Sequence, residues 1–356
     1  MIEPRVYRAA FVPALLALVL TMFSLQSRPG ALGQGLAADV LFDGRLAAAT
    51  AATIAADEPD RRPGRSGDRR TAAFVETQLR ARGFRTAHRD FTHAGLSLRN
   101  VVGRRAGRSR HQVVVVAARD AAVVPEATGS AADTAALLEL ARVFEGRPTQ
   151  KTLVLASVDG STLGEVGTAA LLAELPSPDL VDGMLVMSDL GSPTRRGPIV
   201  QAWSSDDRRA GIGLTRTVAD SLRQELEAKI GGSGALGQLA RLSFPIGIGP
   251  QGPLIESGYD AVRISGSGEL PPAGDGPPEA IDEDTIGALG RATLRTVTAL
   301  DQGGRPEHGP ESYVTAAGQV MSGWVLALLG GTLLLPVFVA AVDAFARARR
   351  REVEVL

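Results

Sequence analysis

The stretch that most limits what this chain can fold into runs from Val113 to Thr168. It reads VVVVAARDAAV, then GSAADTAALLELARVF, then KTLVLASVDGSTLGEVGT. A continuous β-branched run such as Val113–Ala117 belongs to a strand covered on both faces, because a half-exposed strand would alternate apolar and polar residues. Each of the two strands, Val113–Ala117 and Thr152–Val158, is followed by a loop carrying Asp and then by a helical segment. That order builds a mainly parallel sheet, in which ligands bind beyond the carboxyl ends of the strands. The stretch holds no histidine and no pair of glutamates.

The pattern continues on both sides. Arg70 to Arg82 reads as an amphipathic helix stopped by Gly83, and Phe91 and Leu98–Val102 as short strands. Thr134–Phe144 and Leu163–Leu175 read as helices, Gly183–Ser188 as a third buried strand ending at Asp189, and Ile199–Trp203 as a further strand. Thr215–Lys229 reads as a helix, Ala261–Ser265 as the last inner strand, and Thr285–Leu300 as the closing helix. The expected fold is α/β: a three-layer sandwich with a mainly parallel mixed sheet, plus membrane helices.

Composition narrows the function classes. A net charge of -1 over 356 residues lacks the concentrated basic surface that nucleic-acid binding needs. With no cysteine, disulfides, thiolate metal sites and cysteine nucleophiles are excluded. At this length an exported domain can hold together on its core alone.

Two segments are membrane candidates. Ala9 to Leu25 is uncharged, follows Arg5 and Arg8, and suits a signal-peptide core or a signal anchor. Val314 to Val342 carries no charge, and Trp324–Val342 is densely apolar. Arg347, Arg349, Arg350 and Arg351 follow it, which places the C-terminus in the cytoplasm. Arg5 and Arg8 say the same of the N-terminus, so the chain between would lie outside. The expected organisation is a cytoplasmic 1–8, a signal anchor or signal peptide over 9–25 and a connector over 26–44. An extracytoplasmic domain over 45–301, a linker over 302–317, a transmembrane helix over 318–343 and a basic cytoplasmic tail over 344–356 complete it. Gly330 and Gly331, with Ala327, would allow a second helix to approach closely.

Asp120, Asp133, Asp159 and Asp189 all fall just after strands or in the loops leaving them. Four carboxylates at one sheet edge repel unless metal, protons or arginine neutralise them. Arg119 is placed to do some of that, or to meet a ligand carboxylate together with Arg195 and Arg196. The plainer alternative is turn chemistry and helix capping, above all for Asp133 ahead of a helix at Thr134. GGSGALG at Gly231–Gly237 lacks the lysine and the preceding strand of a phosphate loop and reads as a flexible loop.

Over roughly residues 45–300 these segments resemble the di-zinc exopeptidase and aminopeptidase superfamily. DRRPGRSGDRRTAAFVETQLRARGF is similar to its opening motif and helix. VVVVAARD looks like the strand that ends in His-x-Asp, and GSAADTAALLELARVF like the segment carrying the bridging Asp. LASVDGSTLGEVGT looks like the strand ending in Glu-Glu, and MSDLG like the strand end with the next acidic ligand. The resemblance implies two zinc ions in active relatives, with the first Glu of the pair as general base.

Matched position by position, the histidine is replaced by Ala118, the base by Ser161 and its neighbouring ligand by Thr162, while Asp120, Asp133 and Asp189 remain. The late histidine should lie in Ser243–Gly258, which has none. A catalytic zinc needs about three protein ligands, and neutral hydroxyls replace His or carboxylate poorly. Ser161 as a nucleophile would want a His or Lys base, and none falls in these segments. The expectation is an inactive member: no zinc or other cofactor, at most weak hard-cation binding by Asp133 and Asp189, and a protein or peptide partner outside the membrane. Two other outcomes stay open, a residual hydrolase with an altered site and a membrane-complex subunit assembling through its C-terminal helix.

Overall fold

The computed structural model describes residues 4–33, 41–193, 199–226, 230, 233–269 and 276–350. In chain order the elements begin with α1 (Pro4–Ser24), β1 (Gln26–Ser27), α2 (Gly44–Asp57), α3 (Ser66–Ala81), β2 (Arg85–His93) and β3 (Leu96–Arg105). Then come β4 (Gln112–Ala118), α4 (Ser130–Val143), β5 (Thr152–Val158), α5 (Val166–Leu172), β6 (Val181–Ser188), β7 (Ile199–Gln201) and α6 (Ile212–Glu225). The last are α7 (Ala235–Ser243), α8 (Gln251–Glu256), β8 (Ala261–Ser265), α9 (Glu283–Gln302), β9 (Tyr313–Ala316), β10 (Gln319–Ser322) and α10 (Gly323–Arg350).

These elements form two compact units. The larger, Pro29–Gly232 with Pro245–Gly309, holds a seven-stranded sheet in the order β2-β3-β5-β4-β6-β8-β7. Its four central strands are parallel, while β2, β3 and β7 run antiparallel to their neighbours. The register sets Ala118 beside Val158, and Ser188 beside Ser265, so four strands end along one edge of the sheet.

Helices cover both faces. A Cβ at Gly103 in β3 would lie 3.0 Å from Leu79 of α3. Asn100, three residues earlier and so on the other side of the pleat, donates to Gly167 O of α5 at 2.8 Å. The sandwich therefore has α3 and α5 on opposite faces, as the sequence pattern predicts. Val114, Val115, Val154, Leu155, Leu185 and Val186 are fully buried between the layers.

Several boundaries differ from the sequence reading. α2 is a helix where a connector and an undifferentiated domain start were expected; Asp43 caps it by accepting from Arg45 N at 3.0 Å and Leu46 N at 3.1 Å. β2 runs over nine residues rather than a short segment around Phe91, because Ala94 and Gly95, both at positive φ, close a two-residue hairpin with β3. α4 begins at Ser130, four residues before Thr134, so Asp133 lies inside its first turn. The expected helix Leu163–Leu175 is split into a turn at Ser161–Leu163 and the shorter α5.

The smaller unit comprises Met1–Arg28, Ser233–Phe244 and Pro310–Leu356. β1, β10 and β9 form an antiparallel sheet within it, and α1 packs along α10. The expected linker 302–317 and connector 26–44 are thus partly strand, and the start of the expected transmembrane range is β10 rather than helix. The supposed flexible loop at Gly231–Gly237 leads into α7, whose Ala235–Gly237 lie in its first turn; Gly231 and Gly232 lie outside the described residues. Among the described residues one helix, Gly323–Arg349, is long and apolar enough to cross a membrane. The apolar part of α1, Phe11–Ser24, is shorter than the roughly 20 residues a span needs. A Cβ at Gly330 or Gly331 would meet nothing within 4 Å.

Candidate functional site

The strand ends gather Asp120, Asp133, Ser161, Thr162 and Asp189, and each of these is already bonded to the protein itself. Asp120 follows β4. Its Oδ1 accepts from Ser161 N at 3.0 Å and Ser161 Oγ at 2.8 Å. Its Oδ2 accepts from Thr162 N at 3.0 Å and Thr162 Oγ1 at 2.9 Å. Ser161 and Thr162 can do this because they open a single 3-10 turn held between Gly160 and Gly164, both in the left-handed region. Gly167 lets that loop close: a Cβ there would fall 1.8 Å from Asp159 O. One carboxylate thus satisfies both amides and both hydroxyls of the turn. Ala118 ends β4 with a methyl group that packs against the core.

Asp133 reaches from α4 to the loop after β6, where its two oxygens accept from Asp189 N at 3.0 Å and Leu190 N at 2.9 Å. It does not cap its own helix; the cap position is Gly129, which makes no side-chain bond. Burial, then the charge of Asp189, pushes its pKa well above the usual carboxylate range, against the pull of the two N–H groups. Asp189 sits at positive φ and accepts from Ser267 Oγ at 2.6 Å and Ser188 Oγ at 3.1 Å. Arg263 Nη2 approaches it at 3.5 Å.

Arg263 is the cation of the site, and the sequence reading passed over it. It points in from β8, is buried, and donates to Ser188 Oγ at 2.8 Å and Gln201 Oε1 at 3.0 Å. Glu165 is the second residue passed over. It stands at positive φ ahead of α5. Burial raises its pKa to about 8, Arg263 opposing and Asp120 adding to the shift. The signals were a lone charge inside the apolar run AVRIS and an acid where the loop needs a cap, but neither names its partners.

Arg119, the candidate ligand contact, has its partners inside the protein. It is fully buried and turned the other way, donating to Asp68 Oδ2 at 3.0 Å and Ser157 O at 3.1 Å, with Arg99 O as a further acceptor. Asp159 Oδ2 lies 3.4 Å from it and also accepts from Arg99 N at 3.0 Å. Burial pushes both Asp68 and Asp159 up, while the guanidinium between them pulls them down. One arginine thus stands between two buried carboxylates. Arg195 and Arg196 lie outside the described residues.

Asp120, Asp133 and Asp189 keep only 2%, 3% and 6% of their surface. These carboxylates are buried among the loops that bond to them. Among the described residues no group of three or more His, Asp or Glu side chains is placed to hold a metal ion. His111 is at the opposite end of the sheet, 2.8 Å from Asp182, which Lys151 also contacts at 2.5 Å.

No protein-family model matches the chain, and no curated protein does. Solved structures share its fold. A glutaminyl cyclase from an Acidobacteriales bacterium is 16% identical, covering 78% of this chain and 100% of its own, with a TM-score of 0.56. A zinc aminopeptidase from Bacillus subtilis is 12% identical over 72% of this chain and 94% of its own, with a TM-score of 0.57. The LapA aminopeptidase of Legionella pneumophila is 11% identical over 75% and 73%, with a TM-score of 0.60. The chain has the fold of the zinc exopeptidases and glutaminyl cyclases.

Proposed function

We propose that the chain is a membrane-tethered pseudopeptidase: a zinc-exopeptidase-like domain held outside the membrane, with its C-terminus in the cytoplasm, that works as a binding or scaffold module. The observation that carries this is the bonding of Asp133 and Asp189, which match metal-ligand positions, and of Asp120, which matches the acid that orients the missing histidine. A zinc ligand must offer a free lone pair in the direction of the ion. Four donors occupy Asp120, one N–H occupies each oxygen of Asp133, and two hydroxyls with Arg263 gather on Oδ2 of Asp189, while Ala118, Ser161 and Thr162 supply no imidazole or carboxylate. The residues present do not fit a zinc pair. Ser161 Oγ donates to the Asp120 carboxylate, a weaker base than the His or Lys that activates a serine nucleophile.

The tether is supported by α10, whose Leu333, Leu334, Val337 and Phe338 each stand 67% exposed. Such a surface belongs in lipid or against another helix. The partner, a protein or peptide, is met outside the membrane by the larger unit. Crosslinking in membranes with α10 exchanged for an unrelated spanning helix tests this: partner capture that survives the exchange supports the domain as the binding module. Capture lost on exchange assigns assembly to α10 and refutes it.

A further inference from the structure

α7 is built inside out for a helix in water. A surface helix normally turns its apolar stripe to the protein and its polar face to solvent. Here the buried position is Gln238, at 9% exposure, while Leu236 stands 83% and Leu239 36% exposed. Leu236, Leu239, Ala240 and Ser243 share one face by their spacing. Phe244, the residue after the helix, is 76% exposed. From Ile230 to Pro250 the sequence carries one charged residue, Arg241. A stretch this apolar and this exposed has its outward face in something other than water.

Gln238 explains how the helix stays in that posture. Its Oε1 accepts from Thr315 N at 3.0 Å and from Thr315 Oγ1 at 3.2 Å, and its Nε2 donates to Thr315 O at 3.2 Å. β9 is the edge strand of the small sheet. The amide therefore makes with Thr315 the pair of bonds that a neighbouring strand residue would make. Thr315 pairs across the hairpin with Val320, and β10 runs from Ser322 directly into Gly323 of α10 with no intervening loop. α7 is thereby fixed within about a four-residue strand, on the order of 13 Å, of the start of α10. Trp324, in the first turn of α10, is 62% exposed, as an interfacial anchor would be.

We infer that α7 lies in the bilayer interface at the end where α10 enters, with Leu236, Leu239 and Phe244 in the headgroup and acyl boundary. Nine residues bind lipid weakly on their own. α7 is accordingly a foot that sets how the smaller unit rests on the membrane, and α10 supplies the anchoring. The inference rests on the reading of α10 as a membrane span.

The absence of cysteine makes the test clean. The full chain, reconstituted in phosphatidylcholine and phosphatidylglycerol vesicles, is labelled with an environment-sensitive nitrobenzoxadiazole at single sites: Leu236→Cys, Leu333→Cys in mid-α10 and exposed Arg89→Cys. With doxyl-labelled lipid, the Leu236→Cys probe is expected to lose most of its fluorescence to a shallow doxyl group, and the Leu333→Cys probe to a deep one. Arg89→Cys reports water and no quenching. A Leu236→Cys probe that emits as in water while Leu333→Cys is quenched overturns the inference and leaves the span intact. Shielding of Leu236→Cys without lipid quenching assigns the face to a protein and also overturns it. An unquenched Leu333→Cys probe fails the span itself.

Discussion

Asp120→Ala tests whether the turn at Ser161 and Thr162 depends on the carboxylate it surrounds. The substitution removes the acceptor of four hydrogen bonds between 2.8 and 3.0 Å. Bonds to a charged acceptor contribute about 1.5–3 kcal/mol each. Ser161 is part-buried and Thr162 exposed, so their hydroxyls regain water when released. The two amide groups of the tight turn recover less. The expected net loss is about 2–4 kcal/mol, which for a domain of this size lowers Tm by roughly 5–15 °C. Asp120→Asn keeps one carbonyl acceptor and should cost about half as much. Thermal melts of the full chain in detergent micelles, followed by near-UV circular dichroism, measure it. A double-mutant cycle sharpens the point: Ser161→Ala with Thr162→Val should cost stability in the parent and almost nothing in the Asp120→Ala background. A loss for Asp120→Ala below about 0.5 kcal/mol, or full additivity in the cycle, refutes the claim that this carboxylate is bound up in the turn.

Arg119→Leu strands two buried carboxylates, Asp68 and Asp159, and is expected to cost about 3–5 kcal/mol; adding Asp68→Asn and Asp159→Asn should recover part of it in urea midpoints. Glu165, raised to about 8, holds a proton in the folded chain that the unfolded chain has released. Stability therefore falls as pH rises from about 4.5 to 8, by a few kcal/mol at most. Asp133 acts in the same direction, and Glu165→Gln should flatten the slope in pH-dependent melts. Arg263→Met leaves Asp189 without its cation; Asp189→Asn in that background should restore part of the lost Tm, and an equal loss in both would show that the pair carries nothing.

Much of this was legible because buried strands announce themselves. The runs Val113–Ala117 and Thr152–Val158 gave the sheet, and the acids after them fell at its carboxyl edge. Which of those acids face one another depended on contacts far apart in sequence. Asp133 meets the amide of Asp189, 56 residues on, and Arg119 turns to Asp68, 51 residues back. Neither direction is written in the local pattern, so Arg119 read as a candidate ligand contact, and Asp133 as a vestigial metal-ligand position with helix capping as the alternative. α7 was hidden for the same reason. Its glycine-rich approach looks like a loop, and Gln238 finds its partner in Thr315, 77 residues later. The turn between the strands at Phe91 and Leu98–Val102, and the whole β9–β10 hairpin, were missed because Ala94-Gly95 and Ala317-Gly318 occupy turns that Asn-Gly more commonly marks.

Zinc content tests the central claim most directly. The full chain is incubated with excess zinc, desalted, and analysed by inductively coupled plasma mass spectrometry beside its Asp133→Ala variant. The carboxylates bound up by the protein predict background zinc in both. About two zinc ions per chain, as a two-metal hydrolase site would hold, present in the parent and lost from Asp133→Ala, would contradict it.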